Sequence, residues 1–462
     1  MVDTTAAAVA RPPARFRRIL QRAWDVLAMP LLAIFTAFLI GGVVIWITSG
    51  QLSTVFEAYA GLIRGAFFKQ RAFSETLVAM TPYVFLSLGL AVGFKSGLFN
   101  IGVEGQFYIG AISAAFVGQL TSGLPAIIHL PLAVVAGAAG GAVWGAIPGY
   151  LKAKTGAHEV INTIMLNYVA FRLVELLISG PLRDTFASAV QTFRVSPAAE
   201  LWSLFAVPAR LADPLNALGV ALLSAFLAWS AMRWWVSDRW LRSRGVEGKL
   251  PAFMRGRLPL VVAILVGLLA FIFLPMLTHS AWPFQDEYDR LHIGFLFSVI
   301  AAVAVWRLLG NTKIGFELRA VGANPNAARY AGAKITRDIV LAMAVSGGLA
   351  GIAGTIEVLG VSICRCLPLF FSSGYGFDSI AITLLARNNP FGILASAFLW
   401  GAMRNGSDLM ELTSGVSKYI ISLIQALVLL FVAAPGIVRW IYRIKAVRRP
   451  EEEAPLTRGW GG

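Results

Sequence analysis

Polar side chains that could bind or gate a small solute are concentrated in one stretch of a largely apolar sequence, residues 93–106. Asn100 and Gln106 offer amide donors and acceptors, and Glu104 places a carboxylate inside an apolar run. Interspersed glycines allow an irregular backbone there. A carboxylate at membrane depth is costly unless it is buried in protein or lines a cavity. The stretch therefore predicts a pathway or gate element. The structural alternative is an interfacial turn in which Glu104 pairs with Lys95.

Weaker candidates for the same pathway lie elsewhere in the chain. Asn162 and Asn167 share a predicted helix, where they either line a polar path or hydrogen-bond a neighbouring helix. Glu357 ends a helix with small residues every three or four positions, which is mainly a close-packing pattern. Asp378 opens a short apolar segment, and capping that helix is its simplest role. Arg172 and Glu175, three residues apart, are expected to neutralise each other as a structural pair.

Catalytic and metal-binding patterns are missing from the sequence. There is no phosphate-binding Gly-x-x-x-x-Gly-Lys-Ser/Thr loop, no His-Glu-x-x-His helix and no nucleophile elbow. The four histidines are scattered. Cys364 and Cys366 are too few for a disulfide framework or a zinc site, and we expect small, half-buried side chains at a helix end. The chain is not expected to be an enzyme or to bind a metal.

The elements that must position these residues are membrane helices. Of the 462 residues, 57% are hydrophobic and only 14% are charged, with a mean hydropathy of +0.72. About 20 apolar residues suffice to cross a bilayer. We predict an all-α polytopic membrane protein with about twelve transmembrane helices, near residues 30–48, 75–94, 100–120, 127–151, 160–179, 215–235, 258–277, 292–310, 338–362, 376–387, 391–411 and 418–440.

The basic residues that give the net charge of +15 lie in the loops of this predicted topology. They therefore do not indicate a nucleic-acid-binding surface. Most of the basic residues fall on the cytoplasmic side if the N-terminus is cytoplasmic. This predicts a basic cytoplasmic tail over 1–29, a transmembrane domain over 30–440 and a cytoplasmic tail over 441–462. Between the helices, residues 49–74 are expected to hold an outer interfacial helix, and 180–213 an external cap.

A polar island at residues 315–332, inside the loop 311–337, describes a short capped helix. Asn324 suits the N-cap and Pro325 the first helical position. Gly332 can adopt the left-handed conformation that stops the turn. So short a helix is marginal alone in water, so it either docks against a partner or is an ordinary connector.

Five stretches in order resemble the inner-membrane permeases of bacterial ABC importers for nucleosides and simple sugars. They are residues 99–106, 159–168, 315–325 with 327–332, 357–360 and 374–378, within a similarity that covers about 75–180 and 290–435. The resemblance implies a passive translocation subunit that binds no cofactor itself. Its implied partners are a second related permease in a heterodimer, an extracytoplasmic binding protein and a cytoplasmic ATPase that holds ATP and Mg²⁺. The positions implied to couple to the ATPase are Glu317, Arg319, Gly322, Asn324, Pro325, Ala327, Ala328, Arg329 and Gly332.

The chain departs from that family in length, because such permeases have closer to ten helices. An inserted helix pair at about 210–282, around the basic residues Arg239 to Arg257, accounts for the excess. A rival interpretation is an ion-coupled secondary transporter in which Glu104, Glu357 or Asp378 binds the coupling ion. The sequence pattern is equally compatible with nucleosides and with sugars.

Overall fold

The computed structural model describes residues 14–204, except 70 and 121–122, and residues 290–443, with isolated positions between 222 and 264; side chains are described from residue 28. The predicted insertion at about 210–282 therefore lies almost entirely outside the described residues. Residues 1–13 of the predicted N-terminal tail and 444–462 of the predicted C-terminal tail lie outside them as well, whereas residues 14–29 are helical.

The described chain is helical, and its only β pairings are isolated bridges. A π-helical turn, Arg64–Phe68, follows α2, and another, Glu357–Val361, follows α10. The helices, numbered in chain order, are α1 Ala14–Ser49, α2 Leu52–Ile63, α3 Ala72–Lys95, α4 Val103–Leu120, α5 Ala126–Thr155, α6 Glu159–Ser179, α7 Gly294–Asn311, α8 Lys313–Ala323, α9 Pro325–Tyr330, α10 Ile335–Ile356, α11 Tyr375–Leu385, α12 Pro390–Ser414, α13 Tyr419–Ala433 and α14 Pro435–Ile441.

Six described helices are long and apolar enough to cross a membrane, within α1, α3, α5, α6, α7 and α10 with its π turn. A seventh span results if α13 and α14, which meet at a 92° bend, are counted together. The predicted segment 376–387 is a helix of 11 residues, α11. At 1.5 Å per residue it is about 16 Å long and cannot cross a hydrocarbon core of about 30 Å. The total of twelve spans stays a prediction.

The centre of the bundle is built by helices that approach closely through glycine. α3 is buried on all sides, while α5 and α10 cross with their backbones almost in contact. A Cβ atom on Gly141 of α5 would lie 2.2 Å from the carbonyl oxygen of Gly347 on α10. The small-residue spacing before Glu357 is therefore a packing pattern, as predicted.

The segments between the helices depart from two sequence expectations. The helix expected within 49–74 exists as α2, but it packs on α12, where Gly406 meets the backbone of Leu62. Residues 180–204 form irregular structure bridged to the segment after α10, with Gln191 opposite Pro368. In that segment Cys364 and Cys366 are bonded to each other in a disulfide, whereas the sequence predicted only two small side chains at a helix end. The bond closes a turn that follows the π-helical turn Glu357–Val361.

Candidate substrate pathway and coupling site

The helical structure is interrupted between α3 and α4 at residues 96–102, a segment called the α3–α4 break below. Amide side chains hold this segment in place. Asn100 is fully buried. Its amide donates to Gln106 Oε1 at 2.9 Å and accepts from Gln106 Nε2 at 3.1 Å. The same Asn100 nitrogen lies 2.9 Å from Ser346 Oγ on α10. The irregular backbone predicted at this depth is thus present, and its side chains fix it to α10.

Glu104, in the first turn of α4, joins that helix to the start of α11. Its carboxylate accepts a hydrogen bond from Ser372 Oγ at 2.5 Å and another from the backbone N–H of Gly376. Only 2% of the residue is exposed. Lys95 is exposed to solvent and belongs to neither contact. The alternative of a Glu104–Lys95 pair is therefore not what the structure shows.

Of the two asparagines on α6, only Asn167 joins this region. Its Oδ1 accepts from the backbone N–H of Gly105 at 2.8 Å, and its Nδ2 donates to the Ile101 carbonyl at 3.0 Å. Asn167 therefore acts as a hydrogen-bonded link between helices, the alternative that the sequence left open. Asn162 Nδ2 is buried and has no hydrogen-bond partner among the described residues.

A second buried polar group surrounds Asp378. Its carboxylate accepts from the Tyr83 hydroxyl at 3.0 Å, and Arg404 donates to the same hydroxyl at 3.1 Å. Gly374 is the N-cap residue of α11, and the free N–H groups of Tyr375 and Gly376 donate to Ser372 and Glu104, not to Asp378. The preferred interpretation of Asp378 as a helix cap was therefore wrong. The reason is tertiary, because the hydroxyl of Tyr83 on α3 reaches the carboxylate.

Arg404 also connects this group to Glu357. Its guanidinium lies 4.2 Å from the centre of the Tyr375 ring, a cation–π contact, and the buried Glu357 carboxylate interacts electrostatically with both Arg404 and Tyr375. One cation on α12 thus lies among buried acidic and phenolic groups from α3, α11 and the π-helical turn after α10. Sequence reasoning missed Arg404, Tyr83 and Tyr375. A basic residue within the apolar segment 391–411 was the available signal for Arg404, by the rule that selected Glu104.

Aromatic rings lie beside these two polar groups. Phe371 precedes the Ser372 that binds Glu104, and its ring centre is 5.4 Å from Phe107 and 4.5 Å from Tyr108. The ring centres of Tyr83 and Tyr375 are 4.8 Å apart. Phe107, Tyr83 and Tyr375 are buried, whereas Phe371 and Tyr108 are partly exposed next to the Glu104 carboxylate. Partly exposed rings beside a carboxylate suit a small polar ligand with an apolar ring.

A cavity of about 360 Å³ adjoins the Asp378 group. Its lining includes Tyr83, Asp378, Arg404, Asp408 and Lys418 and is more polar than apolar. Its size is within the range of small-molecule sites. Among the described residues no cluster of His, Cys, Asp and Glu side chains is arranged to hold a metal ion.

The predicted capped helix is present as α9. Asn324 Oδ1 accepts from the backbone N–H of Ala327 at 3.1 Å, Pro325 is the first helical residue, and Gly332 has a φ of +87°. α8 directly precedes it and is capped by Thr312. The two short helices form a compact unit at one end of α10.

This unit touches the α3–α4 break through glycine. A Cβ atom on Gly322 would lie 2.7 Å from the backbone nitrogen of Gly97. On its other side Glu317 forms an ion pair with Arg337, which also binds Asp338 at 2.8 Å. α8 is thereby attached both to the break and to the start of α10, so a displacement of α8 has a direct route to each.

Not every residue that the resemblance implied for coupling to the ATPase is accessible on the unit formed by α8 and α9. Arg319, Asn324, Pro325, Ala327, Arg329 and Gly332 are exposed, but Ala328 is only 4% exposed and faces its own chain. Tyr330 is 95% exposed and Phe316 63%. Two large exposed rings on a short helical unit are typical of a protein interface. Sequence reasoning missed both, because exposure of a single ring is decided by tertiary packing.

The fold and these sites define a multi-span helical membrane protein with a buried polar network and a surface helix unit attached to it. A family model described as branched-chain amino acid transport system, permease component, matches residues 72–433. The chain is 33% identical to the guanosine ABC transporter permease protein NupP of Bacillus subtilis strain 168, over 90% of this chain and 95% of that protein.

Two further relatives have similar coverage. The nucleoside ABC transporter permease protein NupB of Lactococcus lactis is 28% identical over 92% of this chain and 95% of its own length. A glucose ABC transporter permease of Haloferax volcanii is 28% identical over 88% and 87%. No solved structure matches the chain. The chain belongs to the ABC transporter permease family.

Proposed function

We propose that this chain is the transmembrane permease subunit of an ABC importer that carries a nucleoside or a simple sugar across the bacterial inner membrane. ATP is hydrolysed by a partner subunit, which holds ATP and Mg²⁺, and this chain binds no cofactor. The observation that carries the proposal is the contact of Gly322 with Gly97. It attaches a surface helix unit, suited to docking, to the polar break of a buried membrane pathway.

The proposed orientation places both termini, α8 and α9 in the cytoplasm. Lys and Arg residues concentrate on that side, as the positive-inside rule requires. The Cys364–Cys366 disulfide lies beyond the other end of α10. Disulfides persist in oxidising compartments outside the cytoplasm, which supports the same orientation. α8 and α9 then face the ATPase, and residues 180–204 and 362–374 face the extracytoplasmic binding protein.

In the proposed cycle, closure of the ATPase displaces α8 and α9. Gly322 transmits the displacement to the break at Gly97, and Glu317 with Arg337 transmits it to α10. Asn100 lies within the break and Glu104 in the first turn of α4, and they bind Ser346 of α10 and Gly376 of α11. Their hydrogen bonds would be remade as the helices reorient and admit the solute.

A nucleoside is the substrate that the chemistry favours. The bases of nucleosides stack on aromatic rings, and the ribose hydroxyls bind carboxylates and amides. The rings of Phe371, Tyr108 and Tyr375 lie beside Glu104 and the Asp378 group. Relatives named for guanosine and for nucleosides agree with this preference. Another relative is named for glucose, so a simple sugar is included as a competing substrate in the uptake experiment.

A second permease is the remaining proposed partner. Lactococcus lactis has two nucleoside ABC transporter permease proteins similar to this chain, NupB and NupC, at 28% and 22% identity. Two related permeases in one organism support a heterodimer here.

Uptake in proteoliposomes tests the proposal. The full complex should accumulate radiolabelled guanosine in the vesicle lumen when ATP is enclosed with the ATPase and the binding protein is supplied outside, and glucose serves as the competing substrate. The rival class, an ion-coupled transporter, predicts uptake by this chain alone under a proton or sodium gradient. That result would defeat the proposal, and so would ATP-independent uptake by the complete complex.

A further inference from the structure

The cavity of about 360 Å³ beside Asp378 contains a buried amide to which no described residue binds. Gln425, on α13, lines this cavity and is only 8% exposed. No hydrogen bond joins its side chain to any other residue in the part of the chain that the structure describes. Buried polar side chains normally have a partner. The amide therefore points to a ligand that enters the cavity.

Two further groups in the lining have hydrogen-bonding capacity to spare. Asp378 Oδ2 accepts from the Tyr83 hydroxyl, whereas Oδ1 has no donor among the described residues. Arg404 donates to the same hydroxyl from Nη1, and its Nε and Nη2 have no acceptor there. The cavity thus presents a carboxylate oxygen, guanidinium donors and an amide that both donates and accepts. Such a set suits adjacent hydroxyl groups, because each hydroxyl donates one hydrogen bond and accepts others.

The charges of the lining favour a neutral ligand. The lining carries two acidic and two basic side chains, Asp378, Asp408, Arg404 and Lys418. Asp408 and Lys418 lie 3.6 Å apart, with 78% and 49% of their side chains exposed. The formal charge of the lining is therefore zero. A phosphate group would meet two carboxylates as well as two cations and gain no net attraction.

The cavity extends from the interior of the bundle to its surface, since its lining includes Tyr83, which is 1% exposed, as well as Asp408. Arg404 lies ten residues, or about 15 Å, before the Ser414 end of α12. In the proposed orientation this end of α12 is extracytoplasmic. A solute delivered from outside the cell would therefore meet this cavity first at its exposed end.

We propose that this cavity is an extracytoplasmic binding site for the adjacent 2′- and 3′-hydroxyls of a neutral ribose, with Gln425, Asp378 and Arg404 as the hydrogen-bonding groups. A nucleoside and free ribose share this diol. Tyr419, 76% exposed, lines the same cavity and offers a ring on which a base can stack, which favours the nucleoside. The inference rests on the proposed function and adds where the solute is recognised and which of its groups are read.

Protection of an introduced thiol tests the site in the full chain. The two native cysteines are joined in a disulfide, so Ser422→Cys, in the cavity lining, provides a single free thiol. The rate of its reaction with a membrane-impermeant maleimide is measured in nanodiscs. Ser417→Cys, exposed between α12 and α13 but outside the lining, is the matched control.

Guanosine should slow the reaction several-fold at position 422 and leave position 417 unaffected. 2′-Deoxyguanosine should require a several-fold higher concentration, and guanosine 5′-monophosphate should not protect. Protection by ribose at the same concentration as guanosine supports the diol site and assigns it to free sugar. Absence of protection by guanosine, or equal protection by guanosine and either analogue lacking the neutral diol, would overturn the inference.

Gln425→Leu in the Ser422→Cys background removes the amide at similar volume. The half-protecting concentration of guanosine should rise about fivefold, as for the loss of one hydrogen bond. The rise should be smaller for 2′-deoxyguanosine, and the thermal midpoint should not fall, because the amide binds no described residue. Gln51→Leu, at an exposed position outside the lining, should change neither value. An unchanged half-protecting concentration in Gln425→Leu also overturns the inference.

Uptake separates the two proposals. ATP-dependent guanosine uptake by the complete complex, without protection at position 422, rejects only the cavity as a binding site. Absence of ATP-dependent uptake of both guanosine and glucose by the assembled wild-type complex rejects the proposed function itself.

Discussion

Gly97 and Gly322 meet backbone to backbone, joining the break between α3 and α4 to the end of α8. A Cβ atom on Gly97 would lie 2.9 Å from the Gly322 Cα, and Gly97 has a φ of +70°. Neither glycine can take a side chain without moving main-chain atoms. The contact is therefore tight enough to transmit a displacement of α8 to the residues that follow the break.

The Gly322→Ala variant should lose most of its ATP-driven uptake while remaining folded in the membrane. The added Cβ would meet backbone atoms of Ser96 and Gly97 at 2.6 to 2.7 Å, so α8 must move away from the break. Gly310→Ala is the control, because a Cβ there meets no atom within 4 Å. Uptake and ATPase rates are measured together. Full uptake by Gly322→Ala would show that the contact does not carry coupling.

The Asn324→Ala variant should weaken association with the ATPase by loosening α9. Loss of an N-cap side chain costs about 1 kcal/mol of helix stability, and α9 has only six residues. Asn326→Ala, at an exposed position within the same helix, is the matched control. The measurement is the amount of ATPase that co-purifies with each variant. Equal co-purification for the two would contradict a role for the capped helix.

Replacement of the exposed Tyr330 ring should reduce ATPase binding more directly. Tyr330→Ala removes a side chain that is 95% exposed and contributes little to the fold of this chain. Ala328→Asp is not a clean test of docking, because Ala328 is buried and the new carboxylate would face its own chain. Tyr330→Phe, which keeps the ring, should retain binding. Unchanged affinity of Tyr330→Ala in a titration with the purified ATPase would remove this ring from the interface.

Glu104→Gln should lower both uptake and thermal stability. The carboxylate accepts two hydrogen bonds, from Ser372 and from the Gly376 N–H, and an amide can direct its oxygen to only one of them. A buried donor left without a partner costs about 1 to 3 kcal/mol. The exposed Glu57→Gln provides the control. A wild-type thermal midpoint and wild-type guanosine uptake for Glu104→Gln would refute the assigned link between α4 and α11.

Arg404→Lys should be defective although the charge is kept. A lysine ammonium cannot reproduce both the hydrogen bond donated to the Tyr83 hydroxyl and the planar contact over Tyr375. The loss is expected to cost about 2 kcal/mol of unfolding free energy. Arg307→Lys, at an exposed position on α7, should be neutral. The measurement is the thermal midpoint of each variant in detergent. Equal midpoints for Arg404→Lys and Arg307→Lys would contradict the prediction.

The sequence by itself determined the class of protein and several local structures. Apolar segments of about 20 residues identify membrane helices because unpaired backbone groups are intolerable in lipid. The cap of α9 was also predictable, since Asn324, Pro325 and Gly332 act on their own neighbours in the chain. The same local logic identified Glu104 as a carboxylate that must be satisfied by protein.

Only the tertiary structure decided which groups meet. Ser372 and Gly376 bind Glu104 from more than 260 residues away, and Asp378 binds Tyr83 rather than capping its own helix. Such pairings depend on how α3, α4, α11 and α12 pack, and no periodicity within one helix encodes the side chain that a neighbour presents. The approach of Gly97 to Gly322 belongs to the same category, because closeness between distant glycines is a property of the packed bundle.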